Sequence, residues 1–159
     1  SELTLDNIEG NTLELNIEVR STGWTEFGVL VCASPGGEEQ TSVSVDVTTK
    51  TLKVDFTKSS LNENIQFVPF RGDQPVEGLP EEKQKTQAQE TTFELNLEEN
   101  LRLRLFIDHS VLEVFANERQ CLVQRMYPTR SDSVGVRLFC RGGDAEVKQL
   151  QAWDMGSIH

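Results

Sequence analysis

Only a few residues of this sequence have the types and spacing that catalysis requires. The run Asp108-His109-Ser110 contains the three residue types of a serine-hydrolase triad. A triad needs its side chains to converge, with the histidine in hydrogen-bond reach of the serine and the acid on the other ring nitrogen. Neighbours in a tight turn point apart instead, so we interpret Asp108 and Ser110 as ordinary turn residues.

Patterns for metal or cofactor binding are also missing. The only other histidine is His159, and the sequence has no Cys-x-x-Cys pair, so neither common pattern of a zinc site occurs. It also has no glycine-rich phosphate loop and no dinucleotide fingerprint. We therefore predict no catalytic residue, no metal ligand and no cofactor in this chain.

Paired carboxylates are a further option, because glycoside hydrolysis uses two of them on either side of a sugar bond. Asp108 and Glu113 flank one predicted turn and are the most interesting pair among the 26 acidic residues. We favour a structural role over acid–base chemistry for them. The expected role is stabilisation of the turn, with a cross-strand partner such as Arg104 or Arg125.

Exposed aromatic rings that stack on sugars form another candidate site. The candidates are Trp24, Tyr127 and Trp153, with Phe27 and Phe70 behind them. Trp24 follows Thr22-Gly23 in a turn-like stretch and is a candidate for exposure, whereas Trp153 in the last strand is expected in the core. Because only 7% of the residues are aromatic, packing in the core or against another module is the favoured interpretation.

The charge of the chain excludes several classes of partner. Fifteen basic and 26 acidic residues give a net charge of −11, which repels nucleic acids and anionic membranes. No run approaches the ~20 apolar residues of a membrane-spanning helix, and no signal peptide is evident. The start on Ser1 is compatible with a processed or excised piece. Cys32, Cys121 and Cys140 are expected to be three buried thiols rather than to include a disulfide bridge. The compartment stays open, with a secreted or periplasmic location slightly favoured over the cytoplasm.

The strands that carry these residues are predicted from the hydrophobic pattern, which repeats every two residues. Apolar residues alternate with polar ones in run after run, which is typical of antiparallel strands with one face on the core. About ten short strands predict an all-β fold, an antiparallel two-sheet sandwich of the lectin-like jelly-roll kind, forming one domain over 1–159. The alternating positions include 13–19, 43–47, 52–56, 93–97, 101–107 and 134–140.

Turn chemistry separates these strands. Pro35-Gly36-Gly37 lies between two predicted strands. Four further breaks predict tight hairpins, at 98–100, 108–110, 117–119 and 141–144. The segment from about 59 to 90 lacks this alternation, and we expect it to be a solvated loop with a short strand at Ile65–Val68. The alternative is a loop that packs on something outside the chain.

Several motifs resemble those of a known family. The segment 106–117, with Asp108, Ser110, Glu113 and Phe115, resembles the D-x-S-x-x-E-x-F hairpin in the C-terminal β-sandwich of glycoside hydrolase family 32, the family of invertases, levanases and inulinases. Arg125-Met126-Tyr127-Pro128 resembles the S-R-x-Y-P strand end, with Gln124 where serine is usual. Phe27-Gly28-Val29, the opening strand 11–15 and the closing run 150–155 match weaker family motifs in the same order.

This resemblance implies a module without its own chemistry. Family enzymes carry the nucleophilic Asp and the acid/base Glu on an N-terminal propeller, in motifs that contain Asp-Pro and Glu-Cys, and this chain has neither dipeptide. The resemblance therefore implies a non-catalytic module that packs on a propeller domain of a retaining, fructan- or sucrose-active hydrolase. The hairpin after Asn117 is shorter than the glycine-bearing versions of many members.

Two other interpretations stay open. The chain could be a free-standing carbohydrate-binding module for fructan or sucrose-type saccharides, or a structural sandwich unrelated to sugars. A row of exposed rings on one sheet favours carbohydrate binding, whereas an exposed apolar patch without such a row favours the packed module. A homodimer is an additional option, because unpaired edge strands can pair between copies.

Overall fold

The computed structural model describes residues 2–61, 70–71, 74–75, 87–96 and 98–155. All regular structure in these ranges is β. The strands are β1 (Glu2–Glu9), β2 (Thr12–Val19), β3 (Glu26–Ala33), β4 (Thr41–Asp46), β5 (Thr51–Asp55), β6 (Phe70–Arg71), β7 (Gln74–Pro75), β8 (Ala88–Thr92), β9 (Leu101–Asp108), β10 (Val111–Ala116), β11 (Gln120–Arg125), β12 (Gly135–Arg141) and β13 (Val147–Asp154). The described part contains no helix that is long and apolar enough to cross a bilayer.

Eleven of these strands form two antiparallel sheets. The six-stranded sheet has the order β1-β12-β3-β4-β5-β8, and the five-stranded sheet has the order β11-β10-β9-β2-β13. The two-residue strands β6 and β7 pair only with each other in the described residues. The predicted all-β sandwich is therefore confirmed.

Alternation places the core between the sheets. In β2 the side chains of Leu13, Leu15, Ile17 and Val19 are all buried, while the residues between them are half-exposed. The same pattern recurs in β9, where Leu101 to Ile107 alternate with charged or half-buried positions. Since each strand has one apolar face, two sheets stacked about 10 Å apart bury both faces at once.

Two of the four predicted hairpins are confirmed. Asp108 and Val111 pair across the turn between β9 and β10, and Ala116 and Gln120 pair across the turn between β10 and β11. Asn117 and Glu118 have φ values of +48° and +59°, and the Arg119 N–H donates to the Ala116 carbonyl at 3.0 Å. These are features of a type I′ turn, whose twist matches that of the flanking strands.

The other two predicted hairpins are wrong. Residues 98–100 join β8 of the six-stranded sheet to β9 of the five-stranded sheet, and residues 141–144 join β12 to β13 in the same way. The strand predicted over 93–97 is absent at 93–96, although Phe93 is buried. Polar turn residues terminate a strand equally well whether the chain returns to the same sheet or crosses to the other. The predicted strand at Ile65–Val68 lies outside the described residues.

Gly28 explains the Phe-Gly pair in β3. A Cβ atom at this position would lie 2.3 Å from the ring of Phe139 and 2.6 Å from the carbonyl oxygen of Val43. The missing side chain therefore allows the Phe139 ring of β12 to lie directly on the β3 backbone. Phe27 and Val29, on either side, point into the core.

The cysteines correct one expectation. No disulfide joins Cys32, Cys121 or Cys140, and Cys32 and Cys140 are buried, but Cys121 is exposed. Cys121 pairs with Phe115, whose side chain points away from the core. Burial, together with the nearby negative charge of Glu39, raises the pKa of the Cys32 thiol to about 11.

Candidate interaction face

The family-like hairpin lies on the outer surface of the five-stranded sheet. We call this surface the hairpin face; it comprises the side chains that point away from the six-stranded sheet. They are Thr12, Glu14, Asn16, Glu18, Arg102, Arg104, Phe106, Asp108, Val111, Glu113, Phe115, Cys121, Val123, Arg125, Gln149, Gln151 and Trp153.

One row of side chains crosses the whole hairpin face. The pairing registers place Trp153, Glu14, Phe106, Glu113 and Val123 next to one another on five successive strands. Neighbouring strands are about 4.8 Å apart, so the row spans about 19 Å. Its two ends are apolar and exposed, with 45% of Trp153 and 51% of Val123 accessible to solvent.

The centre of the face is a cluster of two aromatic rings and an arginine. The rings of Phe106 and Phe115 meet edge to face, with centroids 5.9 Å apart. The guanidinium of Arg104 lies 5.0 Å above the Phe106 ring and donates to Glu14 Oε1 from Nε at 3.1 Å and from Nη2 at 2.9 Å. The carboxylate of the next strand therefore holds the arginine over the ring.

The structure corrects the predicted roles of the motif carboxylates. The Asp108 side chain is 76% exposed and lies 4.0 Å from His109 Nε2, and among the described residues it accepts no turn N–H. Glu113 is half-exposed, and no ion pair joins it to Arg125 among the described residues. Because its carboxylate keeps contact with water, it needs no partner. The predicted cross-strand partner Arg104 binds Glu14 instead.

The hairpin geometry comes from the backbone rather than from Asp108. His109 has a φ of +51°, and its N–H donates to the Asn11 carbonyl at 2.6 Å. The Ser110 carbonyl accepts a hydrogen bond from the Met126 N–H, also at 2.6 Å. Both neighbouring segments therefore hold the turn. No hydrogen bond joins Ser110 to His109 in the described residues, so the triad types do not form a triad.

The candidate sugar-stacking rings are distributed differently from the prediction. Trp24 is buried in the core against Phe27, with its indole N–H donating to the Arg20 carbonyl at 2.7 Å. Trp24 is thus not available for stacking, and the expectation that Trp153 is in the core is wrong. Tyr127 is half-buried. Trp153 alone among the three lies on the hairpin face.

Tyr127 and Pro128 are positioned by a contact that sequence reasoning missed. They lead from β11 into a loop that surrounds the buried carboxylate of Glu39. Its oxygens accept hydrogen bonds from the Thr129 and Arg130 N–H groups, the Thr129 and Ser133 hydroxyls and the Leu61 N–H, at 2.7–3.0 Å.

This cradle keeps Glu39 ionised. Burial by itself would raise the pKa of Glu39, but the hydrogen bonds from Ser133, Arg130 and Thr129 outweigh it and lower the pKa from 4.5 to about 2. The cradle ties the loop between β3 and β4 to the loop before β12. Nothing in the sequence distinguishes Glu39 from its neighbour Glu38, since both follow the same Pro-Gly-Gly turn.

Gln124, at the position where the resembling motif usually has serine, links the two sheets. It is buried, and its amide oxygen accepts a hydrogen bond from Gln89 of β8. Gln89 also donates to the Val123 carbonyl at 3.0 Å, and Gln120 donates to the Thr92 carbonyl at 2.8 Å. Side-chain amides therefore close the sandwich where the edge strands β8 and β11 meet.

The described residues offer few groups for chemistry. They contain no cluster of three or more His, Cys, Asp or Glu side chains arranged to hold a metal ion. An open groove of about 590 Å³ lies on the six-stranded sheet and is lined by Leu30, Ser42, Asp55 and Phe139 among others. The hairpin face can thus offer apolar contact, ring stacking and a few charges.

Comparison with known proteins gives a match over almost the whole chain. The family model described as "Glycosyl hydrolases family 32 C terminal" matches residues 1–154. An insoluble beta-fructofuranosidase isoenzyme of Arabidopsis thaliana is 32% identical over 148 residues, which cover 91% of this chain and 24% of that protein. A fructan 6-exohydrolase of Beta vulgaris is 31% identical over 142 residues, which cover 81% of this chain and 20% of that protein.

Solved structures show the same fold. The fructan 1-exohydrolase IIa of Cichorium intybus superimposes with a TM-score of 0.70 at 18% identity, covering 98% of this chain and 33% of that one. The exo-inulinase of Aspergillus awamori gives a TM-score of 0.68 at 19% identity, covering 96% and 28%. By sequence, this chain spans about a fifth to a quarter of the length of these two curated relatives.

Proposed function

This chain belongs to the C-terminal domain family of the glycosyl hydrolases of family 32, and on that premise we propose that it packs on and stabilises a catalytic propeller domain. It is a non-catalytic module in this proposal, and the chemistry belongs to the partner. The partner is a retaining hydrolase of β-fructofuranosyl bonds that carries the nucleophilic Asp and the acid/base Glu. The isolated chain is then inactive towards sucrose and fructans.

The observation that carries this proposal is the apolar part of the hairpin face on β9, β10 and β11. Phe106, Val111, Phe115 and Val123 are adjacent across these strands and are only partly covered within the chain. Two of the rings pack edge to face on each other, so they do not form a row of open stacking platforms. An apolar patch of this kind is typical of a surface that another protein surface covers.

The intact mass of the native gene product tests the first part of the proposal. We expect a mass well above the 17.9 kDa of this chain, because the relatives are about four times as long as the matched region. A native product of 17.9 kDa would contradict the packed module and leave the free-standing module as the remaining interpretation.

A charge placed on the face tests the second part. Because Val123 is 51% exposed, Val123→Glu should change the unfolding free energy of the isolated chain by no more than about 0.5 kcal/mol. In the native gene product the same change should lower the melting temperature. It should also shorten the half-life of the sucrose-hydrolysing activity during heating. Thr4→Glu, at an exposed position on the outer face of the other sheet, is the matched control and should do neither. Equal effects of the two changes would contradict docking through the hairpin face.

A second function, saccharide binding, is favoured by one observation. Trp153 is 45% exposed and lies directly across from Glu14, which holds Arg104 beside it. A ring with charged neighbours can stack on a sugar while the charged groups bind its hydroxyls. Titration with inulin or levan, followed by tryptophan fluorescence, should then give saturable binding that Trp153→Ala abolishes. Saturable binding that survives this change would contradict a site on Trp153.

We also propose that the module associates with a second copy of itself. The glutamines join the edge strands β8 and β11. The other two edge strands, β1 and β13, have no partner on their outer edges among the described strands. Unpaired strand edges are templates for pairing with another chain.

A further inference from the structure

The backbone of β13 presents a hydrogen-bonding edge that no described strand occupies. β13 is the last strand of the five-stranded sheet and pairs only with β2. The Met155 N–H donates to the Thr12 carbonyl at 2.9 Å, which fixes the alternation along the strand. Gln151 and Trp153 therefore bond to β2, while the N–H and C=O groups of Leu150 and Ala152 point outward from the sheet.

The same side of the sandwich is incompletely covered. The inward-facing Leu3 of β1 is 60% exposed, and Val147, which pairs with the fully buried Val19, is 39% exposed. Leu150 and Ala152 also face the core side and are only half-buried. On the opposite side the glutamines of β8 and β11 close the sandwich. The β1/β13 side therefore combines open apolar surface with a free strand edge.

We propose that two copies of the chain pair antiparallel along β13, with a two-fold axis at Gln151. This inference rests on the homodimer proposed above and names its strand and register. The two five-stranded sheets then become one continuous ten-stranded sheet. Leu150 of one copy exchanges hydrogen bonds with Ala152 of the other, and the symmetry repeats this pair.

Complementarity selects this register. With the axis at Gln151, Leu150 lies opposite Ala152 of the other copy, and Lys148 lies opposite Asp154 of the other copy. Moving the axis by one residue to Ala152 would place Leu150 opposite Asp154, and moving it to Leu150 would place Lys148 opposite Ala152. Among these three registers, only the one with its axis at Gln151 places an apolar residue opposite an apolar residue and a basic residue opposite an acidic one.

Charged side chains lie at both ends of β13. Lys148 is the extra residue of a bulge between Val147 and Gln149, and its ammonium lies 3.2 Å from Glu146 in an exposed pair. Such a pair contributes little to stability, so Lys148 can exchange it for Asp154 of the other copy. Asp154 accepts a long hydrogen bond of 3.4 Å from the Thr12 hydroxyl, and its side chain lies at the end of the strand.

A set of charge reversals tests the register. Multi-angle light scattering on the full 159-residue chain should give twice the monomer mass at high concentration. Lys148→Asp and Asp154→Lys should each weaken the dimer about tenfold, because two symmetric attractions become repulsions. The double variant Lys148→Asp/Asp154→Lys should restore it. Lys50→Asp, a matched charge change in an exposed turn, should leave it unchanged.

Ala152→Pro tests the hydrogen-bonded edge while keeping the fold. Proline is tolerated on an edge strand where its missing N–H faces outward, and the Ala152 N–H does so. We expect a folded monomer, with the circular dichroism spectrum of the parent chain. A dimer that survives Ala152→Pro, or single charge reversals that have no effect, would overturn the proposal.

Cysteine cross-linking locates the axis directly. In a Cys121→Ser background, Gln151→Cys places two thiols on the axis, at a non-hydrogen-bonded pair with a Cα separation of about 4.5 Å, which a disulfide can bridge. Mild oxidation should then give a covalent dimer that thiol reduction reverses. Gln149→Cys is the matched control, because four residues of offset separate its thiols by more than about 13 Å.

The outcomes separate this inference from the proposals on which it rests. A monomer at all concentrations overturns both the homodimer and its register. A dimer that cross-links equally well through Gln149→Cys keeps the homodimer and overturns the β13 register. Neither result bears on packing against a propeller domain, which the hairpin-face variants test in the native gene product.

Discussion

At the scale of single residues, the Glu39 cradle is the most specific feature of the molecule. A carboxylate that is fully buried would destabilise the fold if its oxygens lacked donors. Here both oxygens are surrounded by N–H and O–H groups from Thr129, Arg130, Ser133 and Leu61. The charge is therefore satisfied by oriented donors rather than by an opposite charge in direct contact.

We expect Glu39→Gln to lower the unfolding free energy by about 3 kcal/mol. The amide replaces one acceptor oxygen by an NH2 group, which faces donors that then lack an acceptor. Urea denaturation of both proteins at neutral pH measures the difference. Glu38→Gln is the matched control, because Glu38 forms an exposed ion pair with Arg130, and it should cost less than about 1 kcal/mol. Equal losses for the two variants would contradict the role of the cradle.

The pKa of Glu39 also predicts how stability depends on pH. Its folded-state pKa of about 2 lies below the ordinary value of 4.5, so the unfolded state binds the proton more tightly. The contribution is fully present above pH 4.5 and is lost as the pH falls towards 2. Glu99, whose pKa the Arg119 guanidinium also lowers to about 2, titrates over the same range. Urea midpoints should therefore fall more steeply between pH 4.5 and 2 in the parent chain than in Glu39→Gln. Parallel pH curves would contradict the assignment to Glu39.

At the scale of elements, the β10–β11 hairpin shows how a local turn determines a register. Two of its three loop residues, Asn117 and Glu118, have left-handed backbone conformations. Asn117 tolerates this conformation and uses its side chain, accepting from the Arg102 N–H at 2.6 Å and donating to the Asn100 carbonyl at 2.8 Å. Glu118 makes no comparable contact among the described residues and is strained there.

We expect Glu118→Gly to raise the unfolding free energy by about 0.5–1 kcal/mol. Asn-Gly is the preferred pair of a type I′ turn, because glycine adopts the left-handed conformation without steric cost. Thermal and urea denaturation measure the gain. Glu90→Gly, on the exposed face of β8, is the control and should be destabilising, since glycine weakens a strand. A loss of stability in Glu118→Gly would contradict the turn assignment.

At the scale of the whole molecule, the two sides of the sandwich differ. The side formed by β8 and β11 is tied by Gln89, Gln120 and Gln124, whereas the side formed by β1 and β13 leaves Leu3 and Val147 exposed. A sandwich leaves four strand edges, and each must be covered, charged or paired. The contrast makes the β1/β13 side the place where a second copy fits.

The closed side should matter for stability. We expect Gln120→Ala to lower the unfolding free energy by about 1 kcal/mol, the usual contribution of one hydrogen bond, because it removes the bond between β11 and the carbonyl of Thr92. Gln149→Ala, which truncates an exposed glutamine of β13, should change it by less than about 0.5 kcal/mol. Chemical denaturation distinguishes the two. A Gln120→Ala variant as stable as the Gln149→Ala variant would show that the glutamine bonds do not close the sandwich.

The sequence by itself determined the features that depend on neighbours along the chain. Alternation of apolar and polar residues identified the core face of β2 and β9, because side chains point to opposite faces of a strand. The sequence also showed the turns at 108–110 and 117–119 and the family motifs. Only the tertiary structure decided which sheet each strand joins, so the breaks at 98–100 and 141–144 were mistaken for hairpins.

The exposure of single side chains was likewise decided by long-range contacts. Trp24 follows a turn but is covered by the core around Phe27, while Trp153 lies in a strand whose outer face the described residues leave open. Glu39 is buried because a loop about 90 residues further along the chain surrounds it. Local sequence specifies which face a side chain occupies, whereas burial depends on what the rest of the chain places against that face.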